Sequence, residues 1–198
     1  MTDEDEPRLA DIRETDQVYQ PAEDSHLLAK TAAKEVGKDN RVLDVGTGSG
    51  YVAQFVQEQS DAAVFGVDLN PLACAEARER GVQALRADLV SSFCRDSFDV
   101  ITFNPPYLPS APEGVWDDWM ETAVTGGEDG RAVIKDFLDD VGRVLRPDGA
   151  IYLLVSTVTG PEAVTEAAES AGFEVTTLAE ESHSFEKLLI FQLIPTGE

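Results

Sequence analysis

The chain has 198 residues, and its 38 acidic against 15 basic side chains give a formal net charge of -23. This length predicts one domain with a sizeable core, because two domains would each be small. No apolar run approaches the ~20 residues that a membrane-spanning helix needs. The acidic start M-T-D-E-D-E also lacks the basic region of a signal peptide, so we expect a soluble, cytoplasmic protein.

The charge and the cysteines limit the classes of site that the chain can carry. The acids are spread along the whole chain, which favours a solvated surface adapted to a salty cytoplasm over a face that attracts one basic partner. Exposed charges hardly interact at 1 M salt, where the Debye length is about 3 Å. Cys74 and Cys94 have no histidine at ligand spacing, so we expect neither a disulfide framework nor a bound metal.

The hydrophobic pattern changes near the start of the chain. Residues 1–16 are charged and nearly free of large apolar groups, which predicts a flexible acidic tail, and residues 17–198 form the predicted domain. Short apolar runs then alternate with amphipathic segments, a pattern typical of a parallel sheet covered by helices. The predicted elements of this part are strands at 41–45, 62–68, 82–87 and 98–103 and helices at 51–58, 71–80 and 131–145.

The last third of the chain completes the sheet. The turn P-D-G opens a strand at 150–156, and a helix begins at Pro161 and ends near Gly172. Two runs rich in β-formers follow at 173–178 and 185–193, and the short link between them favours an antiparallel hairpin. The predicted class is α/β, a Rossmann-like open sheet of about seven strands. Most strands are parallel, the last is antiparallel, and helices cover both faces.

The first strand is followed by a glycine-rich loop in the segment V-L-D-V-G-T-G-S-G. Glycine lets the backbone turn sharply and approach a ligand at the N-terminus of a helix. The spacing differs from the dinucleotide motif G-x-G-x-x-G, and Asp44 just before the loop would repel a pyrophosphate. We therefore predict that Asp44, Gly46 and Gly48 bind a ligand with an ammonium group.

Two further acids follow the next two strands. Asp68 lies about 20 residues beyond the loop, where a carboxylate can accept from both hydroxyls of a ribose. Asp88, in the segment A-D-L, could accept from the amino group of an adenine. Any one of these acids could simply cap a helix, but three acids after successive strands are better explained by one ligand. Amine, ribose and adenine together describe S-adenosylmethionine, which is the predicted cofactor.

The fourth predicted strand ends in F-N-P-P-Y, where two prolines remove backbone donors. The carbonyls of Pro105 and Pro106 and the Asn104 side chain then form a cluster of acceptors beside the cofactor's methyl group. Such a cluster favours a substrate with a planar NH₂, against whose flat face Tyr107 can lie. An ordinary turn is the alternative, but the position beside the glycine loop argues against it.

The segments D-V-G-T-G-S-G, D-L-N-P, A-D-L and N-P-P-Y-L-P resemble the class I S-adenosylmethionine-dependent methyltransferases. Within them the chain is similar to the HemK group, which modifies the glutamine in the Gly-Gly-Gln loop of class I peptide release factors. The stretches V-Y-Q-P-A-E-D-S-H-L-L (18–28) and T-G-G-E-D-G-R (125–131) resemble the archaeal and eukaryotic branch. The resemblance runs from about Val18 to the last strand.

The resemblance implies a set of site residues and two partners. Asn104 would bind both cofactor and substrate amide, and Tyr19 and Glu23 would help to close the pocket. The substrate would be a class I release factor, and a small zinc-binding activator protein would pair with the chain as a heterodimer. We expect that activator at the edge strand 82–87. The implied cofactor-site residues are Ser25, Asp44, Gly46, Gly48, Asp68, Asp88, Leu89 and Asn104.

Two other functions remain open on the sequence. An N6-adenine methyltransferase acting on DNA or RNA would use the same N-P-P-Y motif, with Tyr107 stacking on a flipped base. It would also need cations for the phosphates, and no Lys/Arg cluster occurs along the chain. A cofactor-binding scaffold without activity would have no need of an acceptor cluster at the methyl site.

Overall fold

The computed structural model describes residues 18–108, 119–127 and 129–197. The acidic tail predicted for residues 1–16 lies outside the described residues. The strands are β1 (Arg41–Val45), β2 (Ala63–Asp68), β3 (Gln83–Arg86), β4 (Phe98–Phe103), β5 (Leu145–Ser156), β6 (Phe173–Ser182) and β7 (Lys187–Pro195). The helices are α1 (Glu23–Glu35), α2 (Tyr51–Ser60), α3 (Pro71–Glu79), α4 (Trp119–Val124), α5 (Ala132–Val144) and α6 (Pro161–Ser170), with a short 3₁₀ turn at Thr157–Thr159.

The strands form a single mixed sheet in the order β3-β2-β1-β4-β5-β7-β6. Strands β1 to β5 are parallel, and β7 is antiparallel to both β5 and β6. The predicted fold class, an open and mostly parallel sheet with a reversed last strand, is therefore confirmed. The chain order reverses between β1 and β4, and ligands of such sheets bind outside the carboxyl ends of the strands at that point.

The core lies on both faces of the sheet, because alternate residues of the central strands point to opposite sides. In β5, Ile151 and Leu153 join a cluster that includes Phe137 of α5, whereas Leu154 joins the cluster on the opposite face with Leu28 of α1. All five side chains are completely buried. Burial of each such side chain stabilises the fold by roughly 1.5–3 kcal/mol. Because both faces of the central strands are covered, the sequences of these strands are continuous apolar runs.

The elements that differ from the sequence predictions include two unpredicted helices, α1 and α4 (Trp119–Val124), and two strands with other bounds. Helix α1 was not predicted, because the polar residues Asp24, Ser25 and Thr31 interrupt the apolar residues of its buried face and weaken the periodic signal. Strand β5 begins at Leu145 instead of 150, since Leu145 already pairs with Phe98 before an irregularity in the register. Strand β6 continues to Ser182 beyond the predicted 178, because its pairing with β7 holds a polar, exposed segment in the sheet.

Within the part of the chain that is described, no helix is both long and apolar enough to cross a membrane.

Candidate active site

A cavity of about 310 Å³ opens at the carboxyl ends of β1, β2 and β4. Its size lies in the range of small-molecule pockets. Tyr19 lines the cavity as well, whereas Glu23 lies in an adjoining groove. The structure thus brings the sequence-predicted site residues into one cavity, with the exception of Glu23. Those lining it are Ser25, Asp44, Gly46, Gly48, Asp68, Asp88, Leu89, Asn104, Pro105, Pro106 and Tyr107.

The glycine loop runs over the cavity with a backbone that only glycine adopts easily. Gly46, Gly48 and Gly50 have φ angles of 61°, 53° and 83°. A Cβ added at Gly50 would lie 2.9 Å from the backbone of Ala77, so the loop also packs tightly on α3. A side chain at these positions would therefore strain the backbone or collide with α3.

The Asp44 carboxylate is buried between the two strands that carry the site. Its Oδ1 accepts from the Thr102 hydroxyl of β4, and its Oδ2 accepts from the Thr47 hydroxyl of the glycine loop, both at 2.7 Å. Burial raises the pKa of Asp44 to about 6, and the two hydroxyls oppose that rise. Gly66 of β2 leaves room for Thr47, because an added Cβ would lie 2.8 Å from the Thr47 hydroxyl.

The second carboxylate, Asp68, also supports the glycine loop. One of its oxygens accepts from the Gly48 N–H at 2.9 Å, and the other accepts from the Asn70 N–H at 2.8 Å. Burial raises the pKa of Asp68. Asp88 is exposed at the cavity rim, followed by Leu89 with a φ of 44°, a strained value for a leucine. The three acids predicted from the sequence thus surround one cavity.

Asn104 directly follows β4, at the junction between the cofactor side and the N-P-P-Y side of the cavity. Its Nδ2 donates to the Ser25 hydroxyl at 3.3 Å. Its Oδ1 is buried and has no hydrogen-bond partner among the described residues. A buried acceptor without a donor costs of the order of 1–3 kcal/mol, so a ligand N–H is the natural partner of this oxygen.

Asp24 is a component of the site that the sequence analysis missed. Its carboxylate is buried and accepts from the Ser25 N–H at 2.5 Å, the Ser25 hydroxyl at 3.2 Å and the Tyr19 hydroxyl at 2.9 Å. The pKa of Tyr107 is raised by burial and then by the charge of Asp24. Asp24 thus holds Ser25, and Ser25 fixes the amide orientation of Asn104. The A-E-D-S motif, of which Asp24 is the third residue, was the only signal for Asp24 in the sequence.

The segment 125–131 supports the N-P-P-Y backbone from behind. A Cβ added at Gly126 would lie 2.5 Å from the Pro106 carbonyl oxygen, and one added at Gly130 would lie 2.5 Å from that of Tyr107. The Gly126 N–H donates to the Leu108 carbonyl at 2.8 Å. Backbone packs on backbone here, which explains Gly126 and Gly130 in T-G-G-E-D-G-R. Two distant sequence motifs therefore form one structural unit.

Comparisons with known proteins agree with this geometry. The family described as "Methyltransferase domain" matches residues 42–127. A relative from Methanocaldococcus jannaschii, named as a candidate protein N5-glutamine methyltransferase, is 33% identical over 88% of this chain and 90% of its own length. The human protein named "Methyltransferase HEMK2" is 33% identical over 81% of each chain.

A solved structure is also similar over most of the chain. It is the E. cuniculi Mtq2–Trm112 complex, described as responsible for methylation of the eRF1 translation termination factor. The match has a TM-score of 0.76 and 30% identity, and it covers 90% of this chain and 99% of that one. The fold and the cavity define a class I, S-adenosylmethionine-dependent methyltransferase. The chain belongs to the HemK family of protein N5-glutamine methyltransferases.

We expect the buried Asp44 to make cofactor binding depend on pH. With its pKa raised to about 6, Asp44 would be neutral at lower pH, and the ammonium group of a cofactor bound beside it would favour the charged form. We expect the affinity for S-adenosylmethionine to increase as the pH rises through about 6 and then to level off. Isothermal titration calorimetry across this range measures the effect.

Asp44→Asn provides the control, because the amide keeps the shape of the side chain but cannot ionise. It should bind weakly and lack the step near pH 6; persistence of that step in the variant would contradict the assignment.

The contribution of the Asp44 carboxyl to folding stability changes with pH in the opposite direction to the cofactor affinity. Because its pKa is 3.8 when unperturbed and about 6 when folded, its contribution to folding falls between these values as the pH rises.

The packing of Gly126 on Pro106 leads to a second prediction. Gly126→Ala should displace the N-P-P-Y backbone and lower kcat by about 100-fold, the cost of a displacement near 1 Å in a reacting geometry. Steady-state kinetics and cofactor titration measure the change, and the cofactor affinity should stay close to that of the wild type. Gly142→Ala in α5 is the matched control, since its added Cβ would meet Phe173 at an ordinary 3.7 Å. Equal kcat values for both variants would refute the supporting role of Gly126.

Proposed function

We propose that the chain transfers a methyl group from S-adenosylmethionine to the side-chain amide N5 of the glutamine in the Gly-Gly-Gln motif of a class I peptide release factor. The observation that carries this proposal is the buried Asn104 Oδ1, which lacks a donor among the described residues. Two relatives point the same way, one named for protein N5-glutamine methylation and one described as responsible for eRF1 methylation.

The chain's own residues bind and orient the substrate amide. Asn104 Oδ1 and the carbonyl of Pro105 would accept the two N5 hydrogens, which directs the nitrogen lone pair toward the cofactor side of the cavity. Bound S-adenosylmethionine supplies a methyl group on a positively charged sulfur, and the methylated nitrogen returns to neutrality by losing one proton. Orientation of this kind contributes up to ~7–11 kcal/mol. Tyr107 would lie against the flat face of the amide.

Asp24 would assist through its charge. As the N5 lone pair forms a bond, positive charge develops on the nitrogen, and a carboxylate buried near Asn104 stabilises that charge in a medium with little water. Asp24 has the Tyr19 hydroxyl and the Ser25 groups as its hydrogen-bond donors, so it stays oriented toward the site. Asp24 would act through the electrostatic field of its carboxylate, without direct contact with the substrate amide.

The residues around the cavity disfavour the alternative, adenine methylation of DNA or RNA. Neither the cavity nor the adjoining groove has a lysine or arginine among its described lining residues. Nucleic-acid enzymes need such cations near the methylated base, since phosphate contacts dominate their affinity. A glutamine amide in a protein loop carries no phosphates, so its binding requires no lysine or arginine near the cavity.

We further propose a heterodimer with a small zinc-binding activator that docks at the β3 edge. Leu69, Leu72 and Leu85 lie around this edge and are 44%, 45% and 44% exposed. The Ala84 carbonyl is held by the Arg78 guanidinium at 2.7 and 3.0 Å, so a pairing strand would have to displace Arg78. The similar Mtq2 structure is a complex with Trm112, which supports such a partner.

The net charge of the chain bears on the ionic strength at which the enzyme works. We propose that it works in a salty cytoplasm, because a net charge of -23 is well screened only at high ionic strength. Assays therefore belong in about 1 M KCl, where the Debye length is near 3 Å. Equal activity without added salt would argue against this adaptation.

Labelling distinguishes the candidate functions. The chain, co-expressed with the activator, receives methyl-labelled cofactor together with release factor, with release factor carrying Gln→Ala in the Gly-Gly-Gln loop, or with nucleic acid. We expect label on the unaltered release factor alone. Label on nucleic acid, or equal label on the Ala variant, would overturn the glutamine assignment.

The Asn104→Ala enzyme completes this experiment. It should lose turnover while its affinity for the cofactor stays within a few-fold, because the lost acceptor belongs to the substrate side. Ser25→Ala should have a smaller effect, since it frees the Asn104 amide to rotate without removing the acceptor. An Asn104→Ala enzyme that keeps most of its rate would show that the acceptor cluster is not needed.

The docking surface has its own test. Leu85→Arg should weaken co-purification with the activator by at least about tenfold, because it places a charge in the apolar centre of the proposed interface. Leu178→Arg is the matched control, since Leu178 is 38% exposed on the opposite edge strand β6. Equal loss in both variants would indicate a general effect on the fold, and no loss in either would place the activator elsewhere.

A further inference from the structure

A second depression, of about 420 Å³, adjoins the methyl-transfer cavity. The two share Tyr19, Asp24 and Tyr107, so one continuous surface leads from Asn104 to the depression. We call it the hairpin groove, because the turn between β6 and β7 forms its outer wall. It is lined by Tyr19, Ala22, Glu23, Asp24, Tyr107, His183, Ser184, Phe185, Glu186 and Leu188.

The wall of the hairpin groove is held in place by the strands beneath it. The His183 N–H donates to the Glu186 carbonyl at 2.8 Å, which closes the turn. The Glu186 carboxylate accepts from the buried Ser156 hydroxyl, and the Lys187 N–H donates to the Thr157 hydroxyl at 3.0 Å. These contacts tie the turn to the end of β5, so the position of its backbone is set before a partner binds.

Phe185 at this turn is fully exposed, with a relative solvent accessibility of 100%. The other exposed large apolar side chains of the described residues lie between 36% and 46%. Burial of a phenylalanine ring is worth roughly 1.5–3 kcal/mol, which the folded chain alone does not gain here. Aromatic side chains, phenylalanine among them, are enriched at protein interfaces.

The charge of the hairpin groove limits what can occupy it. Glu23, Asp24 and Glu186 contribute carboxylates, and the described lining includes no lysine or arginine. An acidic segment would be repelled in this partly enclosed space, whereas a neutral or basic polypeptide would not. The groove also continues from the place where the glutamine side chain would enter.

We propose that the hairpin groove binds the polypeptide of the release factor that flanks the methylated glutamine, and that Phe185 packs into an apolar surface of that protein. This inference rests on the proposed function for the identity of the substrate. It adds a recognition element on β6 and β7, outside the cofactor motifs and N-P-P-Y. Phe185 contributes to substrate affinity and not to the transfer step.

Phe185→Ala tests the proposal in the complete chain bound to its activator. The KM for full-length release factor should rise by about tenfold or more, the usual loss for an interface anchor, while kcat and the cofactor affinity stay within about twofold. Phe185→Leu should recover part of the affinity. Leu178→Ala on the same hairpin lies outside the groove and should behave like the wild type. Because Phe185 is fully exposed, the substitution removes no core contact and leaves the fold intact.

Direct binding of full-length release factor, measured by surface plasmon resonance, separates this inference from the proposed function. If the wild type binds and methylates and Phe185→Ala does so equally well, the inference fails and the function stands. If the wild type binds without methylating the glutamine, the function fails, and weaker binding by Phe185→Ala still supports the groove. A wild type that neither binds nor methylates overturns both.

Discussion

The buried hydrogen bonds of Asp44 are the interaction on which the rest of the site depends. Thr102 lies on the strand that ends in Asn104, and Thr47 lies in the glycine loop, so one carboxylate joins the two halves of the cavity. Hydrogen bonds to a charged group are worth about 1.5–3 kcal/mol each, which offsets part of the cost of burying that charge. A change at Asp44 would therefore alter the relative position of both halves.

The two halves of the cavity use different chemistry. The cofactor half consists of carboxylates and a glycine backbone, which suit a ligand with positive charge and several hydroxyls. The acceptor half consists of carbonyl oxygens and the amide of Asn104, which suit two N–H donors. Asp24 and Ser25 connect the halves through side-chain hydrogen bonds. The cofactor half would thus select its ligand by charge, and the acceptor half would orient the substrate amide.

The sequence was sufficient to predict the strands, the glycine loop and the acids after successive strands, because each depends on local periodicity or spacing. It was insufficient for contacts that bridge long distances. Ser25 meets Asn104 across 79 positions, and Gly126 meets Pro106 through backbone atoms that leave no pattern of side chains. Asp24 was missed for a related reason, since a buried carboxylate held by hydroxyls looks like a surface acid in the sequence. Only the fold shows which acids are enclosed.

The contact between the N-P-P-Y carbonyls and the two glycines has a consequence for how this scaffold could be redirected. With backbone against backbone there is no side chain to exchange, so the acceptor site has almost no sequence freedom and its preference for an amide is fixed. Phe185 at the turn 183–186 has the opposite character, since it is fully exposed and supports nothing in the core. A change of protein substrate would therefore begin at that turn, with the chemistry left untouched.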